Sequence, residues 1–298
     1  MNFDYGTMLS RSWQIAWRHK AIWGLVLSSM LLSFLMFPFF FAPMFFLQGD
    51  PSDSAVTIFL IAMAVFFLLF MGVSFLSNTI FLAAATLGVI RADRNEGSLS
   101  FLDLLRDGTQ YFARTLGVML ITSLSMGLLF FIFFMLVFVL SIVTMGLASI
   151  CLQPVMILLT PLMFLMVAVM EGAQTAVIAE DLGAMDAVKR ALQVVRAHLW
   201  KYIIITVLIY FGITILSSII MAPLMLPVFA VPFLIDPNTG LSPDIMIQVF
   251  IVFACIFFPI SLAMQSVVSV FMKISLDLTY LRLAQASENQ AVLLEEKA

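Results

Sequence analysis

A chain of 298 residues that is 63% hydrophobic and only 10% charged, with a mean hydropathy of +1.14, cannot hide its apolar surface as a water-soluble globule, where about 25% of residues are charged. The net charge of −3 says little as a total, because the placement of the charges carries the information. Cys151 and Cys255 stand far apart with no second ligand near either, so they fit no zinc or redox spacing and read as small buried hydrophobes.

The N-terminal segment predicts an amphipathic helix. Tyr5, Met8, Leu9, Ser12, Trp13, Ala16 and Trp17 share one face, with Thr7, Ser10, Arg11, Gln14 and Arg18 on the other. The apolar run Ala21–Leu47 is too long for a signal peptide's core and no small-residue cleavage site follows it, so it reads as a retained span, kinked or ended by Pro38 and Pro43. A turn over 48–54 leads to the second run, Ala55–Ile90, which as a helix would be about 54 Å long against a hydrocarbon core of ~30 Å. It must tilt or project beyond the membrane. The polar loop Arg91–Arg114 holds a second amphipathic segment, with Phe101, Leu102, Leu105, Phe112 and Leu116 against Asp103, Arg106, Gln110 and Arg114. Gly108 interrupts it, and Ser100 with Asp103 is placed to cap its start.

Thr115–Met170 contains no charge and has room for two spans, with a break near Met145–Ser149 and with Pro154 and Pro161 early in the fourth helix. Glu180–Lys201 holds the third amphipathic segment: Val188, Ala191, Leu192, Val195 and Leu199 against Lys189, Arg190, Gln193 and Arg196. The fifth span covers Tyr202–Ile235, its outer end disrupted by Pro223, Pro227 and Pro232. Asp236–Gly240 is a turn, and Met246–Ile274, with Pro259 inside, is the sixth span. The tail after Arg282 reads as polar and frayed.

The expected architecture is therefore an all-α integral membrane protein of six spans, arranged as three hairpins, each preceded by an interfacial amphipathic helix. Residues 1–282 form one domain with repeats over roughly 1–90, 91–180 and 181–282, and 283–298 is a polar tail. Arg11, Gln14 and His19 recur at the same spacing as Arg190, Gln193 and His198, and Val89-Ile90-Arg-Ala-Asp93 resembles Val177-Ile178-Ala-Glu-Asp181. Hairpins of one orientation make parallel repeats, unlike the inverted repeats of many secondary transporters. All 14 basic residues fall on one side of this topology, which places both termini in the cytoplasm of a bacterium-like cell. Trp13, Trp17, Trp23 and Trp200 sit near the same boundary, where indoles are favoured.

At Glu180–Arg190, Gln193-Val-Val-Arg196, His198-Leu-Trp200 and Leu9–Trp17 the chain resembles the membrane domain attached to some bacterial glycerophosphodiester phosphodiesterases, together with stand-alone integral membrane relatives of it. The likeness covers nearly the whole chain. It departs at Leu278–Arg282, where Tyr280 stands in place of an acid. The resemblance implies a membrane domain and no catalytic residues, since the phosphodiesterase domain has no counterpart in this sequence.

A search for chemistry finds no phosphate-binding loop, zinc-protease helix or nucleophile elbow, and no cofactor or metal is expected. Glu171 is the one acid well inside an apolar run, about 13 Å inward from Glu180 if helical, and an acid there is a functional candidate by default. With Gln174, Gln265 and Asn78 it forms a candidate intramembrane polar site, read either as a binding layer or as interhelical hydrogen bonding. Ala84-xxx-Gly88 and Gly172-xxx-Ala176 are close-packing spacings that support the second reading. Lys273 and Asp277, at i and i+4, read as a local ion pair at the inner boundary.

Candidate headgroup contacts are Arg11, Arg18, His19, Arg114, Arg190, Arg196, His198 and Lys201. The two histidines also read as repeated architectural residues. The loop Arg91–Asp107 mixes charge signs and carries no basic stripe with stacking aromatics, so no nucleic-acid partner is expected. Two functions remain: a non-catalytic scaffold or envelope-maintenance component that contacts membrane lipids and a further membrane or cytoplasmic protein, or a transporter subunit built around Glu171.

Overall fold

The computed structural model describes residues 4–35, 52–96, 99–144, 153–234 and 243–295. Pro38, Pro43, most of the 48–54 turn, the 145–149 break, Cys151 and the 236–240 turn lie outside the described residues. Every regular element among those described is a helix: α1 (Tyr5–Arg18), α2 (Lys20–Phe34), α3 (Asp53–Asp93), α4 (Phe101–Thr109), α5 (Phe112–Val143), α6 (Gln153–Ala179), α7 (Ala184–Ala197), α8 (Leu199–Leu234) and α9 (Pro243–Glu295). Five of them contain stretches long and apolar enough to cross a membrane, in α3, α5, α6, α8 and α9; Lys20–Leu32 in α2 is a shorter apolar helix. Their outward faces are covered by large hydrophobics such as Leu68, Leu124 and Val143, each 70% exposed or more. Such a surface is stable only against lipid. The chain is an all-helical, multi-pass membrane protein.

The folded chain departs from three expectations. The prolines do not end α8: the helix runs past Pro223, Pro227 and Pro232 to Leu234. In hydrocarbon, leaving the helix would strand more backbone groups than a proline does. The tail after Arg282 is helical to Glu295, because Leu283 and Ala284 are buried in the core and hold it. Ser100 occupies the N-cap position of α4 but its side chain makes no cap bond. Capping of that kind occurs instead at α1, where Asp4 Oδ1 accepts from the backbone N–H of Gly6 and Thr7 at 2.9 and 3.2 Å.

The packing centres on three helices. α3, α6 and α9 touch one another pairwise, and each remaining apolar helix lies across two of them: α2 on α3 and α9, α5 on α6 and α3, α8 on α9 and α6. Each short helix packs mainly on one of the three: α1 on α9, α4 on α3 and α7 on α6. Alanines make this possible. Ala83, Ala84, Ala85, Ala173, Ala176, Ala187 and Ala191 are buried in the common core, and small residues let helix backbones approach where no hydrophobic force drives association.

The faces of the amphipathic helices are rotated from the expected ones. In α1 the buried residues are Met8, Ser12, Ile15 and Ala16, while Trp13 and Trp17 are exposed. In α7 they are Ala187, Ala191, Val194 and Val195, with Leu192 exposed, and in α4 Leu104 and Gly108 are buried while Leu102 is exposed. Each helix has two apolar neighbours, the protein core and the lipid. The hydrophobic arc read from the sequence is the sum of both.

Gly108 ends α4 against α3. A Cβ placed there would stand 2.9 Å from both Cα and Cβ of Ala84, so the backbones themselves would have to separate. Gly108→Ala is therefore expected to destabilise the fold by about 1–3 kcal/mol, read as a lowered unfolding midpoint in detergent. Gly72→Ala on α3, which meets nothing within 4 Å, should instead leave the midpoint unchanged or raise it through helix propensity, about 1 kcal/mol at most.

Candidate functional site

Helical spacing puts Glu171, Gln174 and Thr175 on one face of α6, opposite Lys273 and Asp277 on α9. Lys273 Nζ donates to Glu171 Oε2 at 2.6 Å, lies 3.6 Å from Asp277 Oδ2 and reaches Gln174 Oε1 at 3.5 Å. Thr175 Oγ1 is 3.0 Å from Asp277 Oδ1 and 3.0 Å from its own helix carbonyl at Glu171. Lys273 is 3% exposed, and Asp277, Thr175 and Gln174 are fully buried. Two carboxylates thus share one ammonium where water does not reach. Such a pair survives only with good geometry and further hydrogen bonds, since desolvation costs several kcal/mol per ion. Around it, Gln174 Nε2, the Tyr202 hydroxyl and Ser275 Oγ are buried without a hydrogen-bond partner among the described residues.

Of the four residues expected to form a polar layer, the structure unites Glu171 and Gln174. Gln265 lies apart on α9, lining a crevice of about 350 Å³ with Tyr210, Ser217 and Ser218 of α8, and Asn78, half-buried on α3, forms no hydrogen bond with the cluster. Lys273 and Asp277 do pair, but in the core instead of at a wet boundary. The missed signal is positional: Lys273 stands as far before Arg282 as Glu171 does before Glu180, so the two share a depth.

The charged helix ends form a second network. Asp93, closing α3, is shared by Arg282 of α9 at 3.2 Å and Arg11 of α1 at 3.7 Å. Glu180, just past α6, accepts from the Tyr280 hydroxyl at 2.7 Å and from Arg190 Nε at 3.3 Å. Arg91 pairs with Asp107 at 2.6 Å, and Arg114 pairs with Asp181. Asn95 and Asp181, the turn residues after α3 and α6, both have φ near +55° (56° and 53°). That left-handed conformation suits Asn and Asp among non-glycines. Arg11 donates to the Asn95 side chain at 3.1 Å, and Arg114 donates to the Asp181 backbone carbonyl at 3.3 Å.

Of the residues expected at headgroups, Arg11, Arg114 and Arg190 are thus engaged within the protein. Arg18 and Arg196 are exposed and Lys201 is half-buried. His19 and His198 occupy equivalent corners, each a single residue between an amphipathic helix and an apolar one, its N–H closing the preceding helix. Partial burial, then Arg18 and Arg11, push the His19 pKa below its usual value; partial burial, then Lys201, do the same for His198. Both shifts favour the neutral ring.

No family model matches the chain, and no curated protein or solved structure matches it either.

The buried cluster predicts an ordering of variants. Glu171→Gln leaves Lys273 neutralised by Asp277 and costs about 1 kcal/mol, the scale of one hydrogen bond. Lys273→Met strands both carboxylates and costs about 3–5 kcal/mol. Unfolding midpoints in detergent report the order, and equal losses would mean that the cluster is not an ion pair.

Proposed function

We propose that this chain is a non-catalytic scaffold of the bacterial cytoplasmic membrane. It has six spans in three parallel repeats, and its three amphipathic helices lie on the cytosolic leaflet to contact lipid headgroups and a partner protein. The first span is the one read from the apolar run that opens with α2. The observation that carries the reading is the packing rule: three times over, a short amphipathic helix and an outer helix lean on the inner helix of the preceding unit, and the last unit meets the first. An arrangement that spends its polar residues on internal ties and keeps exposed Trp13, Trp17 and Trp200 beside those ties suits a body anchored at an interface.

A transporter is the second reading, favoured by one observation: the surplus carboxylate shared by Glu171 and Asp277 beside Lys273. Intramembrane acids of this kind often mark proton or ion pathways. The scaffold reading treats the same cluster as a lock between α6 and α9.

Two measurements test the proposal. With Cys151 and Cys255 replaced by serine, a membrane-impermeant maleimide added to intact cells should label Gly240→Cys but not Ser10→Cys. Labelling of both from outside contradicts the topology. Proteoliposomes under a pH gradient should be as tight as protein-free ones; a proton leak that Glu171→Gln abolishes would transfer the function to transport.

A further inference from the structure

A cleft of about 450 Å³ opens where α1 meets the end of α3, lined by Arg11, Gln14, Trp17, Arg18, His19 and Asn95 over a floor of Ile15 and Ala92. No acid lines it. We infer that this cleft binds the phosphate of an anionic phospholipid, which gives the headgroup contact proposed above a specific seat; the inference rests on α1 lying at the cytosolic leaflet.

The charge balance favours an anion. Arg11 and Arg282 compete for the single carboxylate of Asp93, which leaves one positive charge in excess. Arg18, exposed and with no ion pair among the described residues, adds another. The neighbouring Arg91 and Arg94 do not add to it, because Asp107 and Glu96 pair with them. Neutral donors complete the set. Asn95 spends its carbonyl oxygen on Arg11 and keeps its amide N–H groups, Gln14 offers the same, and a neutral His19 has one ring N–H.

Since α1 ends here, its dipole opposes an anion. The attraction must come from side chains, and Arg18 is the one not already committed. A guanidinium matches phosphate geometry in two-point fashion, and the cleft volume lies within the usual range for small-ligand sites.

The walls favour a lipid over a dissolved anion. Trp17 lines the cleft and is 57% exposed. Its ring stands 5.5 Å from Trp13 and 5.8 Å from Trp23, and Trp13 continues to Phe271 at 6.0 Å. This aromatic band leads from the cationic pocket toward the apolar faces of the spans, the level at which headgroups give way to acyl chains.

The test is isothermal titration of the full-length protein in detergent with dihexanoyl phosphatidylglycerol, dihexanoyl phosphatidylcholine and inorganic phosphate. Phosphatidylglycerol is expected to bind about tenfold more tightly than either alternative, the size of one charge-assisted contact. Arg18→Gln should remove that advantage. Lys189→Gln, which deletes an exposed charge on α7 outside the expected headgroup set, should leave it intact. An unchanged Arg18→Gln, or equal losses from both variants, overturns the site. Equal binding of inorganic phosphate overturns the assignment to lipid, and equal binding of phosphatidylcholine overturns the preference for an anion. Because binding is read in detergent, it is independent of the labelling experiment. A wrong leaflet assignment shows there, and a wrong site shows here.

Discussion

Hydrocarbon offers no partner to a polar group, and the structure is arranged around that constraint. Lys273 and Asp277 sit in the core of α9, where an ammonium and a carboxylate are costly unless opposed. They lie 3.6 Å apart, and Glu171 on α6 brings a second carboxyl group to Lys273 at 2.6 Å. That contact fixes the register of α6 against α9. Nearby, Gly172 on α6 leaves so little room that a Cβ would stand 2.9 Å from the Tyr280 ring of α9. Tyr280 in turn reaches Glu180 at the end of α6. One pair of helices is thus held by an ion pair at depth, a close approach above it and a hydrogen bond at the charged end.

The other inner helix, α3, has no ion in its buried half. It meets its neighbours through Ala83, Ala84 and Ala85 and through Gly108 of α4, and it joins the polar network only at its end, where Asp93 takes Arg11 and Arg282. The three inner contacts therefore use different chemistry within one geometry. Each junction is thus held by whatever side chains satisfy it, alanines and a glycine in one place and ion pairs in another. The Tyr280 hydroxyl illustrates this. It stands where the resemblance leads one to expect an acid, and it reaches Glu180 at the end of α6.

Much of the fold was legible in the sequence because bilayer physics is one-dimensional. Length and hydropathy mark helices, and the apolar runs at 55–90, 115–170 and 202–235 became α3, α5 with α6, and α8. The recurring His19 and His198 marked two real corners. What periodicity could not supply was which apolar neighbour each side chain meets. Trp13 and Ile15 are both apolar residues of α1, yet one is exposed and the other is core, and only the position of α9 decides between them. The candidate site was half legible for a related reason. Glu171 stood out as a lone charge in an apolar run, whereas Lys273 and Asp277 lay near other polar residues and looked like a boundary. Gln265 stands eight residues from Lys273 along α9, about 12 Å, and Asn78 stands on α3, so a polar side chain inside an apolar run does not by itself join the cluster.

The helix array is closed by its ends, where the first amphipathic helix rests on α9. Met8 and Thr279 carry that junction, with Thr279 Oγ1 2.9 Å from Met8 Sδ and both side chains buried. The direct measurement is cross-linking of Met8→Cys with Thr279→Cys in native membranes by a short bifunctional thiol reagent, after Cys151 and Cys255 have been made serine. Closure predicts an intramolecular product in high yield, with Ser10→Cys and Thr279→Cys failing to join because Ser10 lies on the exposed side of α1. No product from the buried pair, or equal yields from both pairs, would contradict it.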